Sequence, residues 1–542
     1  MDIIFQISSM VENIIMGEAP ASILEISAYD SCFGRLFAGC QKRMGNEKYV
    51  IDRIVLNDAD PGSPDHVYTN IFPLDLLERV DSMQNYDFIF IAHLFENVHP
   101  DVALGLLEKL QYKITKQILI ITPEYPNDPR RNGKSNIRKY HPITFLDFDF
   151  SYYMYESPGN NWQFYSIFKK QNHDFLNIDL LPQNRVDKKQ LRVAVVMPGK
   201  YLAGGAKALL HFMKHLTRKG HIVKAYLRSD TDSRVIPDWS ELTDSDIHEQ
   251  IIVPSNSLFL EYIRDVDIII AGLALMLPEF KNSPLPVALW EQGSEMTYGD
   301  FYGRLIFSND TIRKELSDVY RLPVYLLAVS ETIRKALKGK YNRDSQLFPA
   351  CVDVDFYRPG NKNNTTPVIL IVGHPMLKFK RFNFALHVLE TAWNSGCRFK
   401  VHWACQADPR LSNISFPIEC FVMASQEKLA SLYREADIFI STSLYESFPL
   451  PPIEAIASGT AVVAVDSGGI RTYAAHGKNC LLVEQGDATS MVRAIRYLLD
   501  HPERRESLAK AGRATALDYS FERVTERLEE CINKIVYSHA NR

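Results

Sequence analysis

The sequence lacks the features that define several broad classes of protein. Its eight cysteines are scattered and form no C-x-x-C pair, which argues against a zinc site and against a disulfide framework. No lysine or arginine precedes Arg35, so a signal peptide is not predicted. The longest apolar run, at residues 268–278, is too short to span a bilayer. The net charge of −4 shows no large asymmetry, so nothing points to nucleic-acid binding.

The remaining composition is that of a globular protein with several domains. The apolar fraction is 46%, which is ordinary for chains with buried cores. A chain of 542 residues predicts about three or four domains at the usual domain size. We expect a cytoplasmic protein with reduced thiols, whose contact with a membrane is at most peripheral and at its inner face.

The most informative stretch of the chain is residues 441–459, with the sequence STSLYESFPLPPIEAIASG. Apolar runs at residues 436–440 and 460–465 predict a buried strand on each side of it. Pro451 and Pro452 suit the first turn of a helix between these strands, and Gly459 suits its end. The pattern of strand, loop, helix and strand predicts an open α/β sheet. In such sheets, ligands bind beyond the carboxyl ends of the strands.

Two glutamates of this stretch are candidates for ligand binding. Glu446 lies on the predicted loop, and Glu454 lies on the predicted helix eight residues later. A carboxylate can accept hydrogen bonds from hydroxyl groups, and the N–H groups at a helix start can bind a phosphate. Together they indicate a nucleotide-sugar site. The alternative is that both glutamates are solvated surface groups.

The stretch resembles the E-x7-E segment of retaining glycosyltransferases of the GT-B fold (glycosyl transferases group 1, family 4-like), usually written E-G-F-G-L-P-x-x-E-A-x-A-x-G. Ser447 and Pro449 replace the two loop glycines of that pattern. The resemblance implies two Rossmann-like domains, a nucleotide-diphosphate sugar as donor substrate and no required cofactor. It implies that Glu446 positions the donor sugar and that Glu454 holds ribose hydroxyls. The further donor-binding residues that it implies are Phe448, Pro449 and Leu450.

A basic loop, at residues 373–381, follows another predicted strand. The same family has an Arg and a Lys here that clamp the donor diphosphate, and Lys380 matches that Lys. His374 replaces the Arg, and Arg381 replaces a glycine. We therefore predict that Lys380 is catalytic and stabilises the departing diphosphate, with Lys378 or Arg381 as a second cation and Gly373 and His374 beside the donor. The alternative is a solvated basic loop.

Residues 191–365 resemble the acceptor-side domain of the same fold. A predicted strand leads into a glycine loop with Gly204 and Gly205, which resembles the GT-B loop facing the donor phosphates and the acceptor. The run at residues 291–295 resembles the Q-G-x-E run of rhamnosyltransferase-like members, which implies that Gln292 and Glu295 contact the acceptor. A surface loop is the alternative. D-x-D pairs recur along the chain without the context of a cation site, so no metal is predicted.

The N-terminal region resembles class I S-adenosylmethionine-dependent methyltransferases. Its strands and helices alternate, which predicts a doubly wound α/β domain. Ser27, Tyr29 and Ser31 replace the three glycines of that family's cofactor loop, and Asn97 replaces its histidine. We therefore expect a methyltransferase-like scaffold that does not bind S-adenosylmethionine and serves partner docking or homo-oligomerisation. The alternative is an active methyltransferase domain.

The predicted organisation is a methyltransferase-like domain at residues 1–168, a linker at 169–190, an acceptor-side domain at 191–365 and a donor-side domain at 366–542. The last helix should return to brace the acceptor-side domain. We predict a retaining glycosyltransferase that moves a sugar from a nucleotide sugar to a glycan, lipid-linked or protein acceptor in bacterial surface polysaccharide assembly. The alternatives are a bifunctional glycosyltransferase and methyltransferase, or a non-catalytic scaffold.

Overall fold

The computed structural model describes two compact units. The first comprises residues 1–174 with two short later segments, and the second comprises most of residues 175–542. In the first unit, the described residues are 11–12, 15–16, 19–27, 33–45, 49–55, 69–73, 80, 83–92, 94, 100–124, 145, 148, 150–157 and 160–168. In the rest of the chain, they are 190–540 except 201–203, 241, 294–316 and 363.

The first unit contains a seven-stranded sheet, sheet A, with the strand order β3-β2-β1-β4-β5-β7-β6. Strands β1 to β5 pair in parallel, whereas β7 is antiparallel to both β5 and β6. The elements are β1 (Ser22–Ser27), α1 (Phe33–Arg43), β2 (Val50–Val55), β3 (Asn70–Pro73), β4 (Tyr86–Ala92), α2 (Pro100–Leu110), β5 (Ile114–Glu124), β6 (Phe150–Ser157) and β7 (Asn160–Phe168).

The core of sheet A is built from its central strands. Ile23 on β1 and Phe90 on β4 are fully buried and pack with Phe37 of α1. The strands predicted at residues 23–26, 86–92 and 117–123 are therefore confirmed. Ser27 ends β1, whereas Tyr29, Ser31 and Asn97 lie outside the described residues, as does the predicted linker at 169–190 apart from Gln190.

The second unit begins with sheet B, a parallel sheet with the strand order β10-β9-β8-β11-β12-β13-β14. Its strands are apolar along most of their length, as expected where both faces of a parallel sheet are covered. The elements are β8 (Arg192–Met197), α3 (Gly204–Arg218), β9 (Ile222–Arg228), β10 (Glu249–Val253), β11 (Ile268–Ala271), β12 (Val287–Glu291), β13 (Tyr325–Ala328), α4 (Glu331–Tyr341) and β14 (Gln346–Leu347).

The second unit also contains sheet C, a parallel sheet with the order β17-β16-β15-β18-β19-β20. Its core includes Ile371, Trp403 and Val463. The elements are β15 (Val368–Val372), α5 (Phe382–Asn394), β16 (Lys400–Cys405), β17 (Ile418–Val422), α6 (Gln426–Glu435), β18 (Ile438–Ser441), α7 (Leu450–Ala457), β19 (Ala461–Val465), β20 (Leu481–Val483), α8 (Ala488–Asp500), α9 (Pro502–Asp518) and α10 (Phe521–Ala540).

The ends of α7 follow from its sequence. Pro451 and Pro452 lie in its first turn, where a missing N–H breaks no helical hydrogen bond. Gly459 follows its last turn with φ of +71°, a left-handed conformation that glycine adopts without strain. The helix predicted from these residues is confirmed, and it lies between β18 and β19.

The C-terminal helix α10 packs against α3 of sheet B. The ring of Phe521 stacks on His215, with 5.6 Å between ring centroids, and meets His211 edge-on at 5.1 Å. His221 Nε2 lies 2.9 Å from Glu529 Oε1 on the same helix. The expectation that the last helix braces the acceptor-side half is confirmed. No helix among the described residues is both long and apolar enough to cross a membrane.

Candidate active site

Three loops meet at the carboxyl edge of sheet C. They follow β15, β18 and β19, which are neighbours in the sheet. The hydroxyl of Thr442, after β18, donates a 2.8 Å hydrogen bond to the carbonyl of Lys380. The N–H of Leu444 donates to the carbonyl of Phe379 at 2.7 Å. These bonds fix the loop that carries Glu446 against the basic loop.

Lys380 and Glu446 form an ion pair at this edge. Lys380 Nζ lies 2.5 Å from Glu446 Oε1, and the hydroxyl of Ser443 donates to the same oxygen at 2.9 Å. The two charged side chains are 16% and 14% exposed, so the pair is partly shielded from water. Both residues line a small pocket together with Pro451 and Pro452 at the start of α7. The cation and the carboxylate are thus presented to the same small space.

The backbone of Glu446 is held by the turn after β19. The N–H of Glu446 donates to the carbonyl of Ser467, and the N–H of Gly469 donates to the carbonyl of Glu446, both at 3.0 Å. A Cβ at Gly469 would lie 2.1 Å from the backbone oxygen of Ser447. Such a contact is sterically impossible without a backbone shift, so this turn requires glycine.

The other basic residues of the loop have different surroundings. Arg381 has φ of +53°, and its guanidinium lies 4.8 Å from the ring centre of Phe384. His374 Nδ1 accepts a hydrogen bond from the N–H of Met376 at 3.1 Å. Lys378 is exposed. The ion pair with Glu446 that is described above comes from Lys380. Gly373, with φ of +146°, allows the close approach of the Phe382 ring, which lies 2.8 Å from where a Cβ would be.

The predicted donor residues that precede α7 make packing contacts. Phe448 is buried, and its ring lies 5.2 Å from that of Tyr473 and 5.9 Å from that of Tyr519. The carbonyl of Pro449 accepts a 2.5 Å hydrogen bond from the hydroxyl of Tyr473. Phe448 and Pro449 therefore support the Glu446 loop through these tyrosines.

The start of α7 offers fewer donors to a phosphate than expected. Positions 449, 451 and 452 are proline, which has no N–H. Of the residues from 449 to 452, Leu450 alone carries a backbone N–H. A phosphate at this helix start would therefore meet one backbone donor among these four positions instead of the several that a helix start ordinarily offers. The charge of Lys380 is correspondingly more important for binding an anion here.

Glu454, predicted to hold ribose hydroxyls, lies in a buried polar network. Lys207 Nζ lies 2.6 Å from Glu454 Oε1, and the hydroxyl of Tyr433 donates to Oε2 at 3.0 Å. The same ammonium group lies 2.7 Å from the hydroxyl of Tyr357 and 3.1 Å from Gln426 Oε1. Burial lowers the pKa of Lys207, but the neighbouring Glu454 and Tyr357 outweigh it and raise that pKa above its ordinary value.

Sequence reasoning missed Lys207. The sequence signal was a lysine within an apolar stretch of helix. The neighbours of Lys207 in α3 are buried, among them Ala206, Ala208, Leu209 and Leu210. A lysine in such a helix is rarely buried without a partner. The pattern could have shown that a partner exists, but not that it is Glu454.

The predicted acceptor-side residues lie near the start of α7. A Cβ at Gly204 would lie 3.6 Å from Leu450 Cδ1, and one at Gly205 would lie 3.8 Å from Gln292 Oε1. Gln292 Nε2 is buried and has no hydrogen-bond partner among the described residues. Gly204, Gly205, Gln292 and Leu450 are thus brought together. Glu295 lies outside the described residues. In the described part of the chain, no three His, Cys, Asp or Glu residues are grouped as a metal site requires.

Comparison with known proteins gives the class to which the donor-side half is similar. Residues 417–515 match the family model "Glycosyl transferases group 1", and this range contains Glu446 and Glu454. The chain is 38% identical over 104 residues to the D-inositol 3-phosphate glycosyltransferase of Corynebacterium urealyticum, covering 19% of this chain and 24% of that protein. It is 42% identical over 102 residues to the protein of the same name from Geodermatophilus obscurus, covering 19% and 22%. The chain therefore spans about a quarter of these relatives' length.

Solved structures show the same fold over a larger part of the chain. Sucrose-phosphate synthase from Thermosynechococcus elongatus aligns with a TM-score of 0.53 at 16% identity, covering 63% of this chain and 98% of that structure. Anabaena HepE, solved in complex with UDP-glucose, aligns with a TM-score of 0.51 at 12% identity, covering 63% and 99%. At such identities the likeness shows the fold alone. The predicted GT-B fold, a pair of Rossmann-like domains, is confirmed by these alignments.

Proposed function

We propose that this protein is a retaining glycosyltransferase that uses a nucleoside-diphosphate sugar as donor. The observation that carries the proposal is the Lys380–Glu446 ion pair at the carboxyl edge of sheet C. The pair lies within the fold of glycosyltransferase structures, and Glu446 lies within the segment that matches group 1 glycosyl transferases. Anabaena HepE, which shares the fold, was solved with UDP-glucose, and this supports a donor of the same chemical class.

Lys380 has the charge and the position to bind the leaving group. When the bond from the sugar to the diphosphate breaks, negative charge develops on the phosphate oxygens. An ammonium group in a partly shielded site stabilises that charge more strongly than water does. Because proline removes most backbone donors from the start of α7, this stabilisation depends mainly on Lys380.

Glu446 is placed to stabilise the positive charge that develops on the donor sugar when the diphosphate leaves. Positive charge develops at the anomeric carbon as the diphosphate leaves, and a carboxylate beside it lowers the barrier. Before the donor binds, Glu446 is neutralised by Lys380. A bound diphosphate would compete for the Lys380 ammonium group, so more of the negative charge of Glu446 would act on the sugar. The acceptor hydroxyl then attacks from the face that the diphosphate leaves, with the phosphate as proton acceptor, so the anomeric configuration is retained.

The donor site is tested by ligand binding and by donor turnover. Purified protein is titrated with UDP, dTDP, GDP, ADP and their sugar derivatives, and the melting temperature is recorded. A ligand at a hundred times its dissociation constant adds about 2.7 kcal/mol to the free energy of unfolding. We expect one nucleotide class to raise the melting temperature and its sugar derivative to be hydrolysed or transferred. If no nucleotide or nucleotide sugar of the panel raised the melting temperature, the proposal would be contradicted.

Glu446→Gln separates catalysis from binding in this test. We expect a variant that binds the nucleotide and has lost transfer by about a hundredfold or more. Glu419→Gln is the matched control, because Glu419 lies on edge strand β17 with a side chain that is 67% exposed. If Glu446→Gln transferred the sugar as fast as the unaltered protein, the proposed mechanism would be wrong.

The acceptor and the pathway are further proposals. We propose a glycan, lipid-linked or protein acceptor in bacterial surface polysaccharide assembly, on the basis of the rhamnosyltransferase-like run at residues 291–295. The relatives named for D-inositol 3-phosphate match over about a quarter of their length, at 102–104 residues, so the match does not favour their acceptor. Transfer of labelled sugar to extracted glycolipid, glycan and protein fractions distinguishes the three acceptor classes.

For the first unit, we propose a methyltransferase-like scaffold that does not bind S-adenosylmethionine. Sheet A is mostly parallel, and its strands alternate with helices, which supports the doubly wound scaffold that the methyltransferase resemblance implies. The loss of all three cofactor-loop glycines favours a scaffold over an enzyme. A rise in melting temperature on adding S-adenosylmethionine would instead favour the bifunctional alternative.

A further inference from the structure

The buried network around Glu454 is complete in its hydrogen bonds. An ammonium group has three N–H donors, and Lys207 has three acceptors within 3.1 Å: Tyr357, Gln426 and Glu454. Both carboxylate oxygens of Glu454 also have partners, namely Lys207 and Tyr433. Lys207, Tyr357, Gln426, Tyr433 and Glu454 are all buried. A fully satisfied network of this kind stabilises one arrangement of its members.

This network connects elements of both GT-B sheets. Lys207 lies in the first turn of α3, which packs on sheet B. Glu454 lies on α7, which packs on sheet C. Tyr357 belongs to the segment that connects the two sheets, between β14 and β15. One ion pair therefore joins positions 247 residues apart.

Arg513 also fixes the backbone of the segment that connects the two sheets. The guanidinium of Arg513, on α9, donates to the carbonyl of Tyr357 at 2.9 Å and to that of Ala457 at 2.7 Å. It also donates to the carbonyl of Val354 at 2.9 Å. The Tyr357 hydroxyl is therefore presented to Lys207 by a backbone that is fixed to the donor-side half.

We propose that Lys207 and Glu454 form a bridge that sets the closure of sheet B on sheet C, and that Glu454 acts as a positioning residue of this bridge instead of binding the donor ribose. The proposal deepens, and rests on, the proposed glycosyltransferase function. It replaces the ribose-binding role that the sequence resemblance implied for Glu454. Lys207 affects the donor through the position of the two sheets, without touching the nucleotide.

The bridge makes a specific prediction about single and double variants. Removal of either charged partner leaves the other charge buried and uncompensated, which is strongly unfavourable, whereas removal of both charges restores balance. Lys207→Met and Glu454→Gln should therefore each lower the melting temperature and weaken UDP binding by about tenfold or more. The double variant Lys207→Met/Glu454→Gln should recover most of both losses.

The control is Lys214→Met on the same helix. Lys214 is partly buried, and its Nζ lies 4.0 Å from Asp246, so its ion pair stays within the acceptor-side half. We expect this variant to leave UDP binding within about threefold of the unaltered protein, because the pair that it removes is long and does not connect the two sheets.

The ribose is examined by comparing UDP with 2′-deoxy-UDP and 3′-deoxy-UDP in the unaltered protein and in Glu454→Gln. We expect the ratio of dissociation constants to be the same in both proteins. The proposal would be overturned if the ratio of the dissociation constants of deoxy-UDP and UDP fell to one in Glu454→Gln. It would also be overturned if the double variant regained its melting temperature without regaining its affinity for UDP.

Independent effects of the two single variants on the melting temperature would also overturn the bridge, whatever the nucleotide results. If no nucleotide of the panel binds the unaltered protein, the proposed function fails. The melting temperatures of the single and double variants still decide whether the bridge exists.

Discussion

The ammonium group of Lys380 lies 2.5 Å from the carboxylate of Glu446, although 66 residues separate them in the sequence. Each residue follows a strand of sheet C, β15 in one case and β18 in the other, and these strands are neighbours. The carboxyl ends of adjacent parallel strands meet at one edge, so strand order alone brings the two charges together. The pair is the chemical centre of the proposed donor site.

We predict that Lys380→Met loses transfer activity by about a hundredfold or more, because the leaving diphosphate loses its main stabilising charge. The double variant Lys380→Met/Glu446→Gln should be little worse than either single variant, since residues that act as a unit give strongly non-additive effects. The measurement is kcat and kcat/KM for the donor identified in the binding panel. Additive losses would mean that the two residues act independently.

We predict that Gly469→Ala disturbs the Glu446 loop. Its new methyl group would lie 2.1 Å from the carbonyl oxygen of Ser447, and relief of that overlap should cost roughly 2–4 kcal/mol of the free energy of unfolding. Activity should fall with it, because the same turn holds the backbone of Glu446.

Gly105→Ala on α2 is the control for this substitution, because nothing lies within 4 Å of the added methyl group. A helical glycine to alanine change should stabilise the protein by roughly 0.5–1 kcal/mol. Thermal melts of both variants give the comparison. Equal melting temperatures for Gly469→Ala and the unaltered protein would contradict the steric argument.

We predict that Tyr433→Phe destabilises the second unit. The hydroxyl of Tyr433 donates to Glu454 Oε2 at 3.0 Å in a buried site, and a buried acceptor left without its donor costs about 1–3 kcal/mol. Denaturant melts measure the loss. Tyr497→Phe is a suitable control, because Tyr497 is 42% exposed, and it should change the free energy of unfolding by less than about 0.5 kcal/mol.

We predict that the protein loses stability on acidification through His215. Burial, together with Lys219 and Arg218, lowers the pKa of His215 from 6.5 to about 4, although Glu529 opposes this. The unfolded chain therefore binds a proton between pH 6.5 and 4 that the folded protein does not, and stability falls as the pH drops through that window.

His215→Gln removes this titration, so its melting temperature should fall less between pH 6.5 and 4 than that of the unaltered protein. Carboxylates titrate in both proteins, and the difference between the two profiles isolates the histidine. Parallel profiles for His215→Gln and the unaltered protein would rule out this role of His215.

Local patterns in the sequence predicted the elements that carry the site. The apolar runs predicted the strands, and Pro451, Pro452 and Gly459 predicted the ends of α7, because these residues restrict the backbone by themselves. Strand order then follows from the fold that the E-x7-E resemblance implied. These are properties of short segments or of the whole family, and both are visible in one sequence.

The tertiary partners of individual side chains were not predictable in the same way. Phe448 matches the family pattern, but its ring packs on Tyr473 and Tyr519. Lys207 lies in a helix whose pattern shows burial, whereas its partner Glu454 lies 247 residues away. Such pairings depend on how the loops and the two sheets pack together, which no local pattern records.

The contact between α10 and α3 affects when the acceptor-side half can complete its folding during synthesis. His211 and His215 on α3 pack against Phe521, and His221 pairs with Glu529. A ribosome makes α3 more than 300 residues before residues 521–540 emerge, as the numbering of these elements shows. Until residues 521–540 emerge, the side of α3 that carries His211 and His215 lacks its partner helix, and a nascent chain stalled before residue 521 should recruit chaperones.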